Sequence, residues 1–383
     1  MRFLALLLVS ALGWLHLAGV PLTQAPAGPP VEIRLEGGLD PRLASRVDAI
    51  MDEYPELRRH RTTRFEILSD LDGDVVAEHA QLLERTAHAV GDFSAALGLQ
   101  AGGALQAGSD RRLVIAFADR THFIEFAATH DQVAARWLGG YFSPAGGHLV
   151  YHTVADHPGV RRLARHAESE AEAGTPPFEG AERLQDDLDR FVVRADAAVV
   201  VHEATHMLLH HAGLVVATID QPMWLTEGIA GSFEPVEPTR KFGPLRPENN
   251  RTKEFRRMLR DDEVPPLVEL VGRRDFPKTG RSQHDHYAAS AALCSWLARH
   301  RPLQLQAYLL HRSDPMRGPL DRAAVDRVAL GAPIEGGDDA WRLLEFERFF
   351  GDVATFEKTW LRSERAAASI PIATGEEQVE FLD

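Results

Sequence analysis

The chain is almost without cysteine. Cys294 is the single one in 383 residues, so no intrachain disulfide can form. It lies inside an apolar helical pattern and reads as a small buried hydrophobe rather than a nucleophile. A core of this size does not require disulfides, so their lack is compatible with export. Basic charge is also short. There are 42 Lys and Arg against 56 Asp and Glu, a net charge of −14. That balance argues against nucleic acid as a partner, because phosphates are neutralised by Lys and Arg. There is no internal repeat. What the chain does have is 44% hydrophobic residues, enough for a soluble globular protein with a full core.

The start of the chain reads as a secretory signal. Arg2 supplies the positive start, Phe3 to Val9 is unbroken apolar sequence, and Ala25 and Ala27 offer cleavage points. Gly13, His16 and Gly19 interrupt the stretch and leave it near the lower length limit for a membrane span. Cleavage with export to the periplasm or medium is the expectation. An uncleaved N-terminal anchor is the alternative. No cysteine lies near the cleavage region, so a lipoprotein anchor is not indicated, and no stable membrane insertion is expected after cleavage.

One stretch organises the rest. Val199 to Leu209 contains His202-Glu203-Ala204-Thr205-His206, a His-Glu-x-x-His motif between two apolar runs. On an α-helix, residues four apart share a face, so His202 and His206 can present two imidazoles to one ion. Glu203 is turned about 100° from His202 and falls beside that ion, where a carboxylate can act as a general base. Gly213 stands where a helix C-terminal cap belongs. Imidazoles and a carboxylate on an otherwise apolar helix need a reason, since unpaired buried polar groups are costly. A zinc ion is such a reason.

A zinc site that does chemistry takes three protein ligands and keeps a fourth position open. One class of zinc peptidases adds a Gly three residues after the second His and a third His six after it. Here those positions hold Leu209 and Ala212, which excludes that class. Another class takes a Glu from a following helix. Trp224-Leu225-Thr226-Glu227-Gly228-Ile229-Ala230 offers one, with twenty residues between His206 and Glu227 for a loop and a returning helix. The small residues Gly228, Ala230 and Gly231 would let two helices approach closely.

His202-Glu203-x-x-His206 followed by Trp224 to Ala230 resembles the gluzincin metallopeptidases. More narrowly, it resembles the peptidase-MA-like superfamily of uncharacterised bacterial secreted proteins. The resemblance runs from about Arg64 to Arg365. It implies an α+β, gluzincin-like fold: a small mixed sheet with a zinc helix, then a mainly helical C-terminal lobe. It implies a Zn2+ cofactor held by His202, His206 and Glu227. A weaker match, Tyr287-Ala288-Ala289-Ser290, lies where aminopeptidase-N-like gluzincins carry a Tyr at the start of a helix. It implies that Tyr287 supports the oxyanion. The Gly-Ala-Met-Glu-Asn-type strand that holds a free amino group in those aminopeptidases is missing, which puts aminopeptidase activity in doubt.

Pro21 to Pro30 is a Pro/Ala/Gly linker, and around these motifs the chain divides into a signal at 1–27, a linker and N-terminal extension at 28–60, a sheet lobe with the zinc helices at 61–240, a helical lobe at 241–365 and a loose tail at 366–383. Arg64 to Ser69, Arg112 to Ala118 and Gly147 to Thr153 read as strands, and Val75 to Leu97 as an amphipathic helix. Thr121 to Ala128 starts another helix. By the resemblance, Gly147 to Thr153 is the candidate edge strand along a substrate cleft. Its His148 and His152 read as exposed strand polars in preference to metal ligands. Val154 to Arg190, with Gly174-Thr175-Pro176-Pro177 in its middle, reads equally as a lid or as a solvated helical excursion. Arg246 to Arg260 reads as a surface helix rather than an anion site. His284, His286 and Tyr287 are expected to precede a helix running to about His300, and Trp341 to Arg365 to be helical.

His210 is on the motif's face but a further turn away, about 5.4 Å along the axis, and reads as a polar helix end. Glu234 could accept the other N–H of a ligand imidazole. Asp220 could do so instead, or cap the helix near Pro222. The expected function is a secreted zinc peptidase in which Glu203 activates water for attack on a peptide carbonyl. The alternatives are a non-catalytic zinc-bound scaffold or binding module on the same fold, and a zinc hydrolase with a non-peptide substrate.

Overall fold

The computed structural model describes residues 41–99, 110–172, 179–215, 221–277, 280–314 and 338–369. The signal, the linker at 21–30, Gly174 to Pro177, Asp220 and the tail beyond Ser369 lie outside the described residues.

The fold is mixed α+β, with one five-stranded sheet and many helices. The strands are β1 (Arg58–Arg61), β2 (Phe65–Ser69), β3 (Arg112–Phe117), β4 (Gly140–Ser143) and β5 (His148–His152), in the order β1-β2-β3-β5-β4. The three central strands run parallel, and β1 and β4 join the two edges antiparallel. Strand β3 is apolar throughout after Arg112 because both of its faces are covered. Leu113, Ile115 and Phe117 face one cluster with α1 (Pro41–Glu53) and α3 (Arg120–His130). Val114 and Ala116 face the other, with α2 (Gly73–Ala96) and α5 (Glu179–His211). Helix α4 (Pro158–Glu172) packs on α5. Part of the expected N-terminal extension is therefore folded: Val47, Ile50, Tyr54 and Leu57 belong to the core under α1.

Two strand expectations are corrected. The stretch Gly147 to Thr153 is not the edge of the sheet. Strand β5 is paired on both sides, and the edge is β4, which a tight turn with Gly147 at φ +66° folds back antiparallel onto β5. The strand Gly140–Ser143 has only four residues, too few for alternation to announce it. As a consequence His148 and His152 are not exposed polars. They are 0% and 3% accessible, packed edge-on and tilted against Phe126 and Phe123.

The charged stretch before the motif resolves into α4 and the first turns of α5. The motif helix is thus 33 residues long, and residues 179–190 are its own N-terminal part. It ends at His211, and Gly213 at φ +70° lets the chain turn back so that Leu214 N–H reaches Leu209 O at 2.9 Å. The remaining helices are α6 (Met223–Phe233), α7 (Thr252–Asp261), α8 (Leu267–Gly272), α9 (Arg281–His300), α10 (Pro302–Ser313), α11 (Asp338–Phe350) and α12 (Val353–Ser369). One hydrophobic cluster runs from Phe65 on the sheet through Leu208 and Trp224 to Trp360, so sheet and helices share a core.

Helices α6 and α9 pack backbone to backbone. A Cβ at Gly228 would fall 2.6 Å from Ser290 O and 2.7 Å from Cys294 Sγ, so only glycine fits. Cys294 is buried there as expected, with its thiol 3.5 Å from Trp224 O. Helix α9 starts at Arg281, so His284, His286 and Tyr287 lie within it rather than before it. Among the described residues no helix is long and apolar enough to cross a membrane.

Candidate metal centre

Two helices and one strand build the site. Helix α5 is apolar on the face that carries Val200, Val201, Ala204, Met207 and Leu208, which locks it against the sheet and α2. Its other face presents His202 and His206. Strand β4 lies directly on this helix: a Cβ at Gly139 would meet Val199 Cγ2 at 2.9 Å, and one at Gly140 would meet Val199 Cγ1 at 3.1 Å. Helix α6 brings Glu227 across from its packing on α9.

The structure brings His202, His206 and Glu227 together. His202 Nε2 is 3.2 Å from His206 Nε2 and 3.1 Å from Glu227 Oε2, and His206 Nε2 is 3.5 Å from Glu227 Oε1. A tetrahedral zinc with bonds of about 2.0–2.1 Å holds its ligand atoms about 3.3 Å apart. The three separations bracket that value. The proton arithmetic agrees. His202 Nδ1 is 2.9 Å from Glu234 Oε1, so the Nδ1–H tautomer donates there and leaves Nε2 as a lone pair. That lone pair faces another imidazole nitrogen and a carboxylate, an arrangement that a cation would satisfy. The residues present therefore fit zinc.

Glu234 is the residue that orients His202. It follows α6 and is 1% accessible. Besides His202 it accepts from Arg251 Nη2 at 2.7 Å and from Asn250 Nδ2 at 3.2 Å, while Asn250 N–H bonds its backbone carbonyl at 3.0 Å. Burial would raise its carboxyl, but Arg251 and His202 hold it down at about 2. For Glu227 burial likewise raises and the two imidazoles more than reverse it, leaving it well below the usual range. Without a cation, burial of His202 is overcome by Glu227, Glu234 and Glu203, which hold the imidazole protonated up to about 10. Each shift describes a carboxylate-rich pocket that attracts positive charge.

Glu203 stays outside the three-ligand cluster but beside it. Burial and then Glu227 push its carboxyl above the ordinary value, opposed by His202, His206 and the Phe142 N–H of β4. That influence sets β4 beside Glu203. Tyr287 lies in the second turn of α9, with its ring 6.4 Å from that of His202 and 5.1 Å from that of Phe276. The Arg251 guanidinium sits 5.6 Å over the Tyr287 ring. Burial and then Glu227 keep its phenol protonated well above the usual value. Its hydroxyl makes no hydrogen bond among the described residues.

His210 is turned to Val215 O at 3.2 Å and ends the helix, away from the cluster. His286 is 2% accessible and bonds Ser282 O at 2.7 Å on its own helix. Arg251 and Asn250, in the stretch read as a surface helix, were missed as parts of the site. They reach Glu234 only because the chain after α6 loops back over it, a long-range contact with no local signal. A second His–carboxylate grouping, Glu56, Asp70 and His122, lies toward solvent, with His122 and Glu56 paired at 3.2 Å.

Comparison with known proteins adds one match. Residues 196–321 match the model of a family described as "Protein of unknown function (DUF1570)". The matched part is about a third of the chain and contains His202, Glu203, His206, Glu227, Glu234, Arg251 and Tyr287. No curated protein matches the chain, and no solved structure does.

Proposed function

We propose that this chain is an exported zinc-dependent peptidase of the gluzincin type. The observation that carries the reading is the spacing of three donor atoms at 3.1, 3.2 and 3.5 Å on two helices, with a free carboxylate and a free phenol beside them. A purely structural zinc site closes its fourth position with a protein ligand. His202, His206 and Glu227 would hold the ion, and Glu203 and Tyr287, outside that set, would be left for chemistry.

Zinc, when bound, supplies Lewis acidity that polarises a carbonyl and lowers the pKa of water to about 7. The chain's own residues do the rest. Glu203, whose raised basicity suits the task, takes the proton of the attacking water and delivers it to the leaving amine. Tyr287, kept protonated, donates its hydroxyl to the carbonyl oxygen as negative charge develops there. The outer edge of β4, which pairs with no other strand among the described residues, offers backbone groups to which an extended peptide can add as a further strand. Export rests on the N-terminal sequence alone.

The test is metal analysis of the purified protein together with cleavage of a diverse peptide pool, for the wild type and Glu203→Gln. The expected outcome is one zinc per chain in both proteins and peptide cleavage that falls at least about a hundredfold in the variant. Equal cleavage by the two proteins would falsify the hydrolytic role of Glu203. A protein that holds zinc and cleaves no peptide in the pool rejects the peptidase reading.

A further inference from the structure

A second polar site lies at the opposite end of the sheet's parallel strands from their C-terminal loops. Arg112 opens β3 and is 4% accessible. Its Nε and Nη1 are sealed from solvent and have no hydrogen-bond partner among the described residues. By strand alternation its side chain leaves on the side of Val114 and Ala116, the face covered by α2 and α5. The carboxylate whose field it feels there is Glu84 of α2. Glu84 is already committed: it accepts from Thr62 Oγ1 at 2.6 Å, from Arg64 N–H at 2.7 Å and from Arg64 Nη1 at 2.7 Å. Arg64 adds a second cation to the same corner.

At the C-terminal end of α5, His211 Nε2 is likewise buried and without a partner among the described residues. Arg112 is near enough to join burial in holding the His211 imidazole down at about 4. Burial, and then Arg64, draw Arg112 itself down to about 10. A guanidinium does not shed its proton under ordinary conditions, so it cannot escape burial by becoming neutral. A buried cation with unspent donors is strongly unfavourable unless an anion completes it. Water fills a lone donor but leaves the charge uncompensated.

We propose that Arg112 and His211 hold a small oxyanion, of the carboxylate or phosphate class, between the start of β3 and the end of α5. Planar guanidinium donors match the oxygens of such ions, and a neutral imidazole donates to them in its Nε2–H tautomer. The site is independent of the metal ligands but close to their helix. The Phe142 ring of β4 packs on His210 and His211 at 5.2 and 6.2 Å. An anion there would tie the end of α5 to the sheet.

The test uses the full chain at constant ionic strength, with sulfate, phosphate or acetate replacing chloride, read by thermal unfolding and by titration calorimetry. The expected result is a saturable rise in Tm, since a ligand that binds only the folded state stabilises it. A response to sulfate and phosphate marks an inorganic ligand, and a response to acetate alone marks a carboxylate source. Arg112→Met should be at least as stable as the wild type without oxyanion and should not respond to it. His211→Ala should respond with an affinity about tenfold weaker, the value of one hydrogen bond to a charged group. Oxyanion bound at the metal instead would survive Arg112→Met, and that result, or no saturable response in the wild type, overturns the proposal. If Arg112→Met does not fold, calorimetry on the wild type and His211→Ala decides alone.

Discussion

Two buried clusters in this protein use the same side chains to opposite ends. Around Asp131, at the end of α3, both carboxylate oxygens have found donors. The carboxylate accepts from Tyr141 Oη at 2.7 Å, from His148 Nε2 at 2.8 Å and from Ser143 Oγ at 2.9 Å, with Arg46 Nη2 at 3.6 Å. Only His148 Nδ1 is left over, as a bare acceptor when Nε2 carries the proton. Around His202 the count runs the other way. Once Nδ1–H is given to Glu234, the nitrogens of two imidazoles face each other and a carboxylate across 3.1 to 3.5 Å. One acidic cluster, its carboxylate fully supplied with donors, closes a turn. The other, with acceptors to spare, could hold a cation. Histidine next to carboxylate is therefore no sign of a metal by itself. The sign is which atoms are left without protons.

That contrast can be broken first at its strongest point. Glu227→Ala removes one of three converging donors. Zinc affinity should fall by more than about a hundredfold, beyond the usual cost of losing a residue that merely orients a ligand, and peptide cleavage should vanish with it. Competition with a chelator measures this, and wild-type affinity in the variant would reassign the third ligand.

The next effect concerns Tyr287. Tyr287→Phe keeps the ring under Arg251 and against Phe276 but removes the hydroxyl. We expect kcat to fall about a hundred- to a thousandfold, the usual cost of one oxyanion donor, with Tm and zinc content unchanged. An unchanged kcat returns the residue to a packing role.

A smaller change is expected one layer out. Glu234→Gln keeps size but gives up the charge that holds His202 and Arg251. Zinc affinity should drop about ten- to a hundredfold, with the base and the phenol untouched. If affinity is unaltered, the orientation of His202 comes from helix packing and not from Glu234.

The closed cluster should answer in stability only. Asp131→Asn should cost about 2–3 kcal/mol, the range for hydrogen bonds to a charged group, and leave zinc and cleavage as they are. Burial would raise the Asp131 carboxyl, but His148, Tyr141 and Ser143 lower it to about 2. Its stabilisation is thus fully present above the ordinary carboxylate pKa of about 4 and is lost as pH falls from there toward 2, amounting to about 2 kcal/mol. The difference in Tm between wild type and variant should shrink over that window. A constant difference would show that the charge of Asp131 contributes nothing.

What could be read without a structure was local and periodic. His202, Glu203 and His206 needed only the 3.6-residue turn of one helix, and the five-residue spacing carries that in itself. The helix Gly73–Ala96 and the strand Arg112–Phe117 were legible from apolar patterning, because burial on a regular element repeats with its period. Gly213 was legible as a cap because a left-handed turn has few other tenants. Tertiary structure decided everything that depends on two segments meeting. It made β4 the edge of the sheet, buried His148 and His152, and started α9 early enough to enclose Tyr287. It also carried Arg251 and Asn250 back to Glu234 across a loop, and left Arg112 Nε and Nη1 sealed in without an acceptor among the described residues. Pairing across a sheet and the match of donors to acceptors are properties of juxtaposed chains, so neither leaves a periodic mark in the sequence of either one.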